Sequence, residues 1–373
     1  MLRSAAVNEI VFVAGARPNF MKIAPILHAL HAHESDVRDV LVHTGQHYDH
    51  GMSEIFFEQL GIKTPDVHLE VGSGPHGAQT GRIMQTFEEH LMQATRPAGI
   101  VVVGDVNSTM ACTLVGVKMG IPVAHVEAGL RSFDRAMPEE INRIVTDSIA
   151  DLLLVSDPAG LENLGHEGVP SERIRYVGNV MIDSVVARLD EARALHKAKT
   201  LGLDEKGYAV VTLHRPQNVD HEDRLSDLVS FLTELADNLP VVFPIHPRTA
   251  NKLETFGLRD KLENHPGVHA SAPLGYVELL SLMDTAKLVI SDSGGIQEET
   301  TFLRVPCVTL RPSTERPITV SQGTNTIAGM DLDVARKAIG DVLAGSYKPG
   351  RDIDGWDGKA SERVVDAILG AWT

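Results

Sequence analysis

Short runs of apolar, often β-branched residues alternate along this chain with longer stretches whose apolar positions recur at helical spacing. The short runs are close to continuously apolar, as strands covered on both faces are. They predict strands over residues 10–14, 37–44, 100–104, 123–126, 152–155 and 174–177, then 209–213, 241–245, 268–271, 288–291 and 307–310. The amphipathic stretches predict helices over 20–32, 81–94, 108–119, 138–150, 158–166, 224–238, 276–285, 296–303 and 332–343. A charged Ala/Leu/Lys-rich stretch over 191–204 reads as a surface helix, and residues 73–77 as a loop. Strand and helix alternate from end to end, the signature of βα units and parallel sheets. The pattern restarts after Gly178. It predicts an α/β protein of two Rossmann-like, doubly wound parallel-sheet domains, residues 1–178 and 179–357, facing a central cleft. Residues 358–373 form a final amphipathic helix expected to pack back on the first domain.

Bulk properties agree with two cores. The chain has 373 residues, 43% hydrophobic and 23% charged, too long for one ordinary core and neither disordered nor membrane-like. No apolar run approaches the length of a bilayer span. The start of the chain lacks a basic region followed by an apolar stretch, so no secretory signal is expected. Cys112 and Cys307 lie far apart inside apolar elements and read as buried thiols of a reducing cytoplasm. A net charge of −16 argues against nucleic acid or an anionic membrane as partner. An anionic nucleotide still fits a locally basic site, for which Arg17, Lys22, His214, Arg215, His246, Arg248, Arg311 and Arg316 are available.

Candidate chemistry gathers just past predicted strand ends, where open α/β sheets bind ligands. Gly15-Ala16-Arg17-Pro18-Asn19 opens the first helix, and a basic residue at a helix start favours an anion. The equal alternative is a plain βα turn. Lys22 follows about one and a half helical turns later and either reaches the same anion or lies in solvent. Ser293-Gly294-Gly295 opens the helix after residues 288–291, where successive amides form an anion nest. Glu298 and Glu299 follow one turn on, either as acids favoured by the helix dipole or with one accepting both ribose hydroxyls of a nucleotide.

Three carboxylates sit at strand ends in the first half: Asp105, Glu127 and Glu139. Asp105 is also explained as an N-cap, and Glu139, behind Pro138, as ordinary helix-start design. Glu127 ends an apolar strand, where an acid requires a task or a partner such as Arg131 or Arg143. Three acids at the carboxyl ends of one sheet favour acid–base work. His214 and His246 each follow a strand of the second half and are placed to donate to phosphate oxygens, or to serve as loop residues. No metal-ligand spacing, Gly-x-Gly-x-x-Gly or Gly-x-Ser-x-Gly pattern is present.

Taken in order and spacing, these motifs resemble the non-hydrolysing UDP-N-acetylglucosamine 2-epimerases, over nearly the whole chain. The segments that carry the resemblance are Gly15-Ala16-Arg17-Pro18, Gly104-Asp105, His125-Val126-Glu127-Ala128-Gly129-Leu130-Arg131, Pro138-Glu139-Glu140-Ile141-Asn142-Arg143, His214-Arg215, residues 291–299 and Thr314-Glu315-Arg316-Pro317. The resemblance implies the GT-B architecture, a UDP-sugar substrate, no metal or nicotinamide cofactor, and a cytoplasmic homodimer serving cell-envelope polysaccharide. It implies catalytic roles for Asp105, Glu127, Glu139 and His214. It implies substrate binding by Arg17, Lys22, Arg143, His246, Ser293, Gly294, Gly295, Glu299 and Arg316. It also implies a closing motion of the two domains on the nucleotide.

The chain departs from many bacterial members at two places. Gln46-His47-Tyr48-Asp49-His50-Gly51 stands where those members have Gln-His-Arg-x-Met-Leu, and His214-Arg215-Pro216-Gln217 where they have His-Arg-Arg-Glu. Both changes remove groups from the site at which a second UDP-sugar activates them. Other readings remain open at this stage: a modified substrate such as a 2,3-diacetamido uronate, the hydrolysing variant, a glycosyltransferase, and a non-catalytic UDP-sugar-binding regulator.

Overall fold

The computed structural model describes residues 8–45, 57 and 60–372. The chain divides into two compact units, one built from the residues up to Ser184 and from Asp354 onward, the other from Val185–Ile353. Each is a parallel sheet covered by helices, as the apolar runs predict.

In the first unit the strands are β1 (Asn8–Ala14), β2 (Val37–His43), β3 (Val67–His68), β4 (Gly99–Val103), β5 (Val123–Ala128), β6 (Leu152–Val155) and β7 (Ile174–Tyr176). They lie in the order β3-β2-β1-β4-β5-β6-β7, with every pair parallel. Alternate residues of the central strands feed two layers. Phe12, Val101 and Val103 point to one face, with Phe20 and Leu27. Val11, Val13 and Val102 point to the other, with Phe87 and Cys112. The helix Ala360–Trp372 packs against the helix Arg17–Ala32 on the first face, so the end of the chain completes this unit's core. Asp183 caps that final helix, accepting from the Ala360 amide at 3.1 Å and the Ser361 amide at 2.6 Å.

The second unit repeats the plan with β8 (Ala209–Thr212), β9 (Val241–Pro244), β10 (Val268–Ser271), β11 (Leu288–Ser291), β12 (Cys307–Thr309) and β13 (Asn325–Ile327). The order is β10-β9-β8-β11-β12-β13, again all parallel. In both sheets the strand order reverses once, beside β1 and β4 in the first and beside β8 and β11 in the second. The connections leave to opposite sides there, opening a crevice at the carboxyl ends. The candidate residues follow these strands.

Two edge strands are not evident in the sequence, β3 and β13, because two or three residues carry no periodicity. The surface helix expected over 191–204 is corrected. The helix runs Val180–Ala194, followed by a short turn of helix at Lys197–Thr200. Val180, Ile182 and Val185 bury its first turns, a feature outweighed in the sequence by the charge run that follows. Polar composition likewise hides the helices Pro247–Thr255 and Arg259–Glu263. Among the described residues no helix is long and apolar enough to cross a membrane.

Candidate active site

In the first unit, the turn after β1 is set by Asn19. Its Oδ1 accepts from the Gly15 amide at 3.0 Å and the Ala16 amide at 2.9 Å, and its Nδ2 donates to the Val103 carbonyl at 3.1 Å. One side chain therefore ties the ends of β1 and β4 together across the switch point. It also uses two amides that the sequence reading offered to an anion. Arg17 stands exposed at the first position of the helix.

Lys22, one face further along, is buried and forms an ion pair with Glu127. The sequence suggests Arg131 or Arg143 as the partner of Glu127, and the structure assigns Lys22 instead. Glu127 is only 3% exposed and has a φ of 71°. Such left-handed backbone is costly for a residue with a Cβ and collects at functional sites. The strand register shifts here, between Val126 and Ala128, which re-aims the side chain. Gly129 follows with φ 81°, and a Cβ on it would lie 2.5 Å from the Gly160 carbonyl oxygen, so only glycine fits.

Arg131 instead belongs to a buried network behind β5. It donates to Asp147 Oδ2 at 2.7 Å and to both oxygens of Glu167 at 2.8 and 2.7 Å. Asp147 also accepts from the Gly129 amide at 3.0 Å and from His125 Nδ1 at 2.6 Å. His125 Nε2 donates to the Gly104 carbonyl at 2.8 Å. Both ring nitrogens of this fully buried histidine thus face acceptors. Burial raises the Asp147 carboxyl, but His125 and Arg131 outweigh it and hold it below the usual range. The network fixes Gly104 before Asp105 and Gly129 after Glu127. Sequence reasoning missed it, although His125 and Arg131 flank Glu127 in one motif.

Arg143 is buried and pairs with Asp105, and at 2.6 Å with Glu140. Glu140 also accepts from the Ser132 and Phe133 amides, each at 2.9 Å. Burial opposes its charge, yet these donors bring its carboxyl below the ordinary value. Glu139, beside it on the helix Pro138–Ile149, is half-buried, and its side chain makes no hydrogen bond or ion pair among the described residues. Asp105, Glu127, Glu139, Lys22 and Arg143 are thus gathered on the carboxyl ends of β1, β4 and β5 and on the helix behind β5.

In the second unit, Asp292 organises the switch point. Its buried carboxylate accepts from the amides of His214 and Arg215 at 3.0 and 2.9 Å and from Asn218 Nδ2 at 3.1 Å. It also lies 2.9 Å from His214 Nδ1. Burial raises this carboxyl, but His214 and the other donors win and lower it. Asp292 so orients the His214 ring. The sequence places Asp292 in a motif without giving it this task. His246 stands with its ring centre 5.3 Å from that of His214, and its Nδ1 accepts from the Arg248 amide at 3.2 Å. Arg248 is committed to Asp220, with Nε at 2.9 Å.

Ser293 is the N-cap of the helix Gly294–Phe302, and no side chain caps that end. The first-turn amides at Gly294 and Gly295 are therefore the helix's orphan donors. A Cβ on Gly294 would lie 3.0 Å from Arg316 Nη1 and 3.7 Å from Arg311 Nη1. Two guanidiniums thus crowd the same helix start, an arrangement suited to a diphosphate. Arg316 is held by Glu298 at 2.8 Å, and Arg311 by Glu315 at 2.6 Å. Glu299, one turn in, is buried with Tyr276 and Glu298 beside it, and burial pushes its carboxyl up to about 8.

Residues 46–51, where the sequence departs from many bacterial epimerases, lie outside the described residues. Among the described residues no group of three or more His, Cys, Asp or Glu is placed to hold a metal ion.

A family model described as UDP-N-acetylglucosamine 2-epimerase matches residues 28–369. The UDP-N-acetylglucosamine 2-epimerase of Methanococcus maripaludis is 39% identical over 368 residues, covering 97% of this chain and 98% of the relative. The UDP-2,3-diacetamido-2,3-dideoxy-D-glucuronate 2-epimerase of Pseudomonas aeruginosa is also 39% identical, over 364 residues, covering 96% and 99%. The crystal structure of Methanocaldococcus jannaschii UDP-GlcNAc 2-epimerase in complex with UDP-GlcNAc and UDP matches with a TM-score of 0.86 at 38% identity, covering 97% of this chain and 99% of that one. Two doubly wound parallel sheets, strand-end carboxylates on one and a glycine-rich, arginine-flanked helix start on the other accord with these likenesses, and the chain belongs to the UDP-N-acetylglucosamine 2-epimerase family.

Proposed function

We propose that the protein interconverts UDP-N-acetylglucosamine and UDP-N-acetylmannosamine by inverting C2 of the sugar. The observation that carries this reading is Glu127: a buried carboxylate in left-handed backbone at a strand's carboxyl end, paired with Lys22. The C2–H bond is not next to a carbonyl and is not acidic enough for direct abstraction. A base takes the C2 proton while the C1–O bond breaks. The C–H electrons become the C1=C2 bond of a 2-acetamidoglucal, and the C1–O electrons leave with UDP. UDP then adds back to C1 as a proton reaches C2 from the opposite face. Asp105, Glu127 and Glu139 carry the proton transfers. Arg17, Lys22, Arg143, His214, His246, Ser293, Gly294, Gly295 and Arg316 bind and stabilise the departing diphosphate and the sugar. Glu299 accepts the ribose hydroxyls. The reaction so written uses neither metal nor nicotinamide. We place it in the cytoplasm, in a homodimer that supplies envelope polysaccharide synthesis.

Proton NMR of UDP-GlcNAc incubated with the protein in heavy water tests the reading. UDP-ManNAc with deuterium at C2 in both epimers is the expected result. Free ManNAc with UDP would assign the hydrolysing reaction, and no change at all would overturn the substrate. A second reading is favoured by one finding: the Pseudomonas relative acting on a diacetamido uronate is as similar as the Methanococcus epimerase. The same experiment with that sugar separates the two.

The changed residues 46–51 and Pro216-Gln217 lead to a kinetic prediction. Initial rates follow a hyperbola in UDP-GlcNAc, and the reverse reaction runs from UDP-ManNAc alone. A sigmoidal curve, or a reverse reaction that waits for added UDP-GlcNAc, would show that the activating site persists.

A further inference from the structure

We infer that Phe133 is a substrate contact, its ring packing on the apolar C–H face of the bound sugar; this rests on the UDP-sugar reading above. Phe133 is 78% exposed and has a φ of 58°. A bulky side chain in left-handed backbone carries a strain cost. Burial of the ring offsets none of that cost, since the ring stands in solvent. Among the described residues it makes no aromatic or cation–π contact.

The conformation is nonetheless held in place. Glu140 Oε1 accepts from the Phe133 amide, and Oε2 accepts from the Ser132 amide and hydroxyl, all at 2.9 Å. Asp134 Oδ1 accepts from the Ala136 amide at 2.9 Å, closing the rest of the loop. Glu140 is itself buried and bound to Arg143, and Arg143 to Asp105. The backbone that presents the phenyl ring is thus fixed, through two side chains, to a proposed catalytic carboxylate. Isolated exposed apolar residues are common on protein surfaces. One that is strained, clamped and coupled to the proposed acid–base group is of the kind that collects at ligand clamps. A flat aromatic ring on a loop tied by its backbone to these carboxylates suits a hexopyranose, whose axial C–H bonds form an apolar face, and offers substantial area with few rotatable bonds.

Calorimetric titration of UDP and of UDP-GlcNAc into the wild type, Phe133→Gly and Phe133→Tyr tests the assignment, with thermal melting alongside. Phe133→Gly is expected to melt no lower than the wild type, because glycine relieves the strain, and to keep its affinity for UDP. Its affinity for UDP-GlcNAc is expected to fall about tenfold, or about 1.4 kcal/mol. Phe133→Tyr keeps both affinities. Phe133→Gly binding UDP-GlcNAc as tightly as the wild type overturns the contact while leaving the epimerase reading intact, as does an equal loss for UDP and UDP-GlcNAc. A wild type that binds UDP-GlcNAc no more tightly than UDP, and leaves it unchanged, overturns both.

Discussion

Glu127→Gln is expected to lower kcat by about a thousandfold and to abolish deuterium entry at C2, because positioned proton transfer contributes about 10²–10⁴ to a rate. The substitution keeps the size of the side chain and removes its ability to take a proton. It also breaks a buried ion pair and strands the Lys22 ammonium, a loss that typically costs about 3–5 kcal/mol. Loss of activity alone therefore does not separate catalysis from folding. The double variant Glu127→Gln with Lys22→Met separates them. It removes both charges and is expected to recover most of the thermal stability, while exchange at C2 stays absent. If it regained stability and turned over within about tenfold of the Lys22→Met single variant, Glu127 would be a structural partner of Lys22, and Asp105 or Glu139 the proton carrier. The strain at Glu127 gives a further expectation. Glu127→Gly removes the cost of φ 71° and is expected to lose activity at a smaller stability loss than Glu127→Gln.

The sequence exposes this site unevenly. Strand ends are legible because fully buried parallel strands are continuous apolar runs, so Asp105 and Glu127 fall visibly at or just past them. The glycine pair at 294–295 is legible because few other reasons put two glycines at a helix start. What the sequence hides is pairing across long separations. Lys22 and Glu127 are 105 positions apart, His214 and Asp292 are 78. Each pair joins elements close in the sheet order, the helix after β1 with β5 and the end of β8 with that of β11, so it depends on a topology that local spacing does not carry. Arg131 shows the opposite failure. Its nearness to Glu127 in sequence makes it the natural partner, but the bulge at Val126–Ala128 and the turn at Gly129 send it behind β5 to Asp147. The short edge strands and the polar helices of the second unit escape notice for a simpler reason: they bury little, and burial pattern is the signal.

Stability should report on Glu299 in a way that ordinary surface acids do not. Its carboxyl is pushed from 4.5 up to about 8 by burial, with Glu298 adding to the rise and Tyr276 opposing it. Between those values the folded protein keeps a proton that the unfolded chain has released. Stability therefore falls as pH rises from about 5 to about 8, and is flat with respect to this group above that. Glu299→Gln removes the titration, so its stability advantage over the wild type is expected to grow through the same window, read as denaturation midpoints at pH 5, 6.5 and 8. The proposed ribose contact would give this buried acid a use in binding. A carboxylate that accepts two ribose hydroxyls does so as the anion, so ligand binding should expel the proton. Calorimetry of UDP-GlcNAc at pH 7 in two buffers of different ionisation enthalpy is expected to show proton release by the wild type and none by Glu299→Gln. This ligand's diphosphate is esterified at both ends and does not titrate near neutrality. The variant should bind about 10–100-fold more weakly, the worth of hydrogen bonds to a charged group. Equal affinity and equal proton release in the two proteins would remove Glu299 from the nucleotide site and leave its buried acid as a structural feature of the helix Gly294–Phe302.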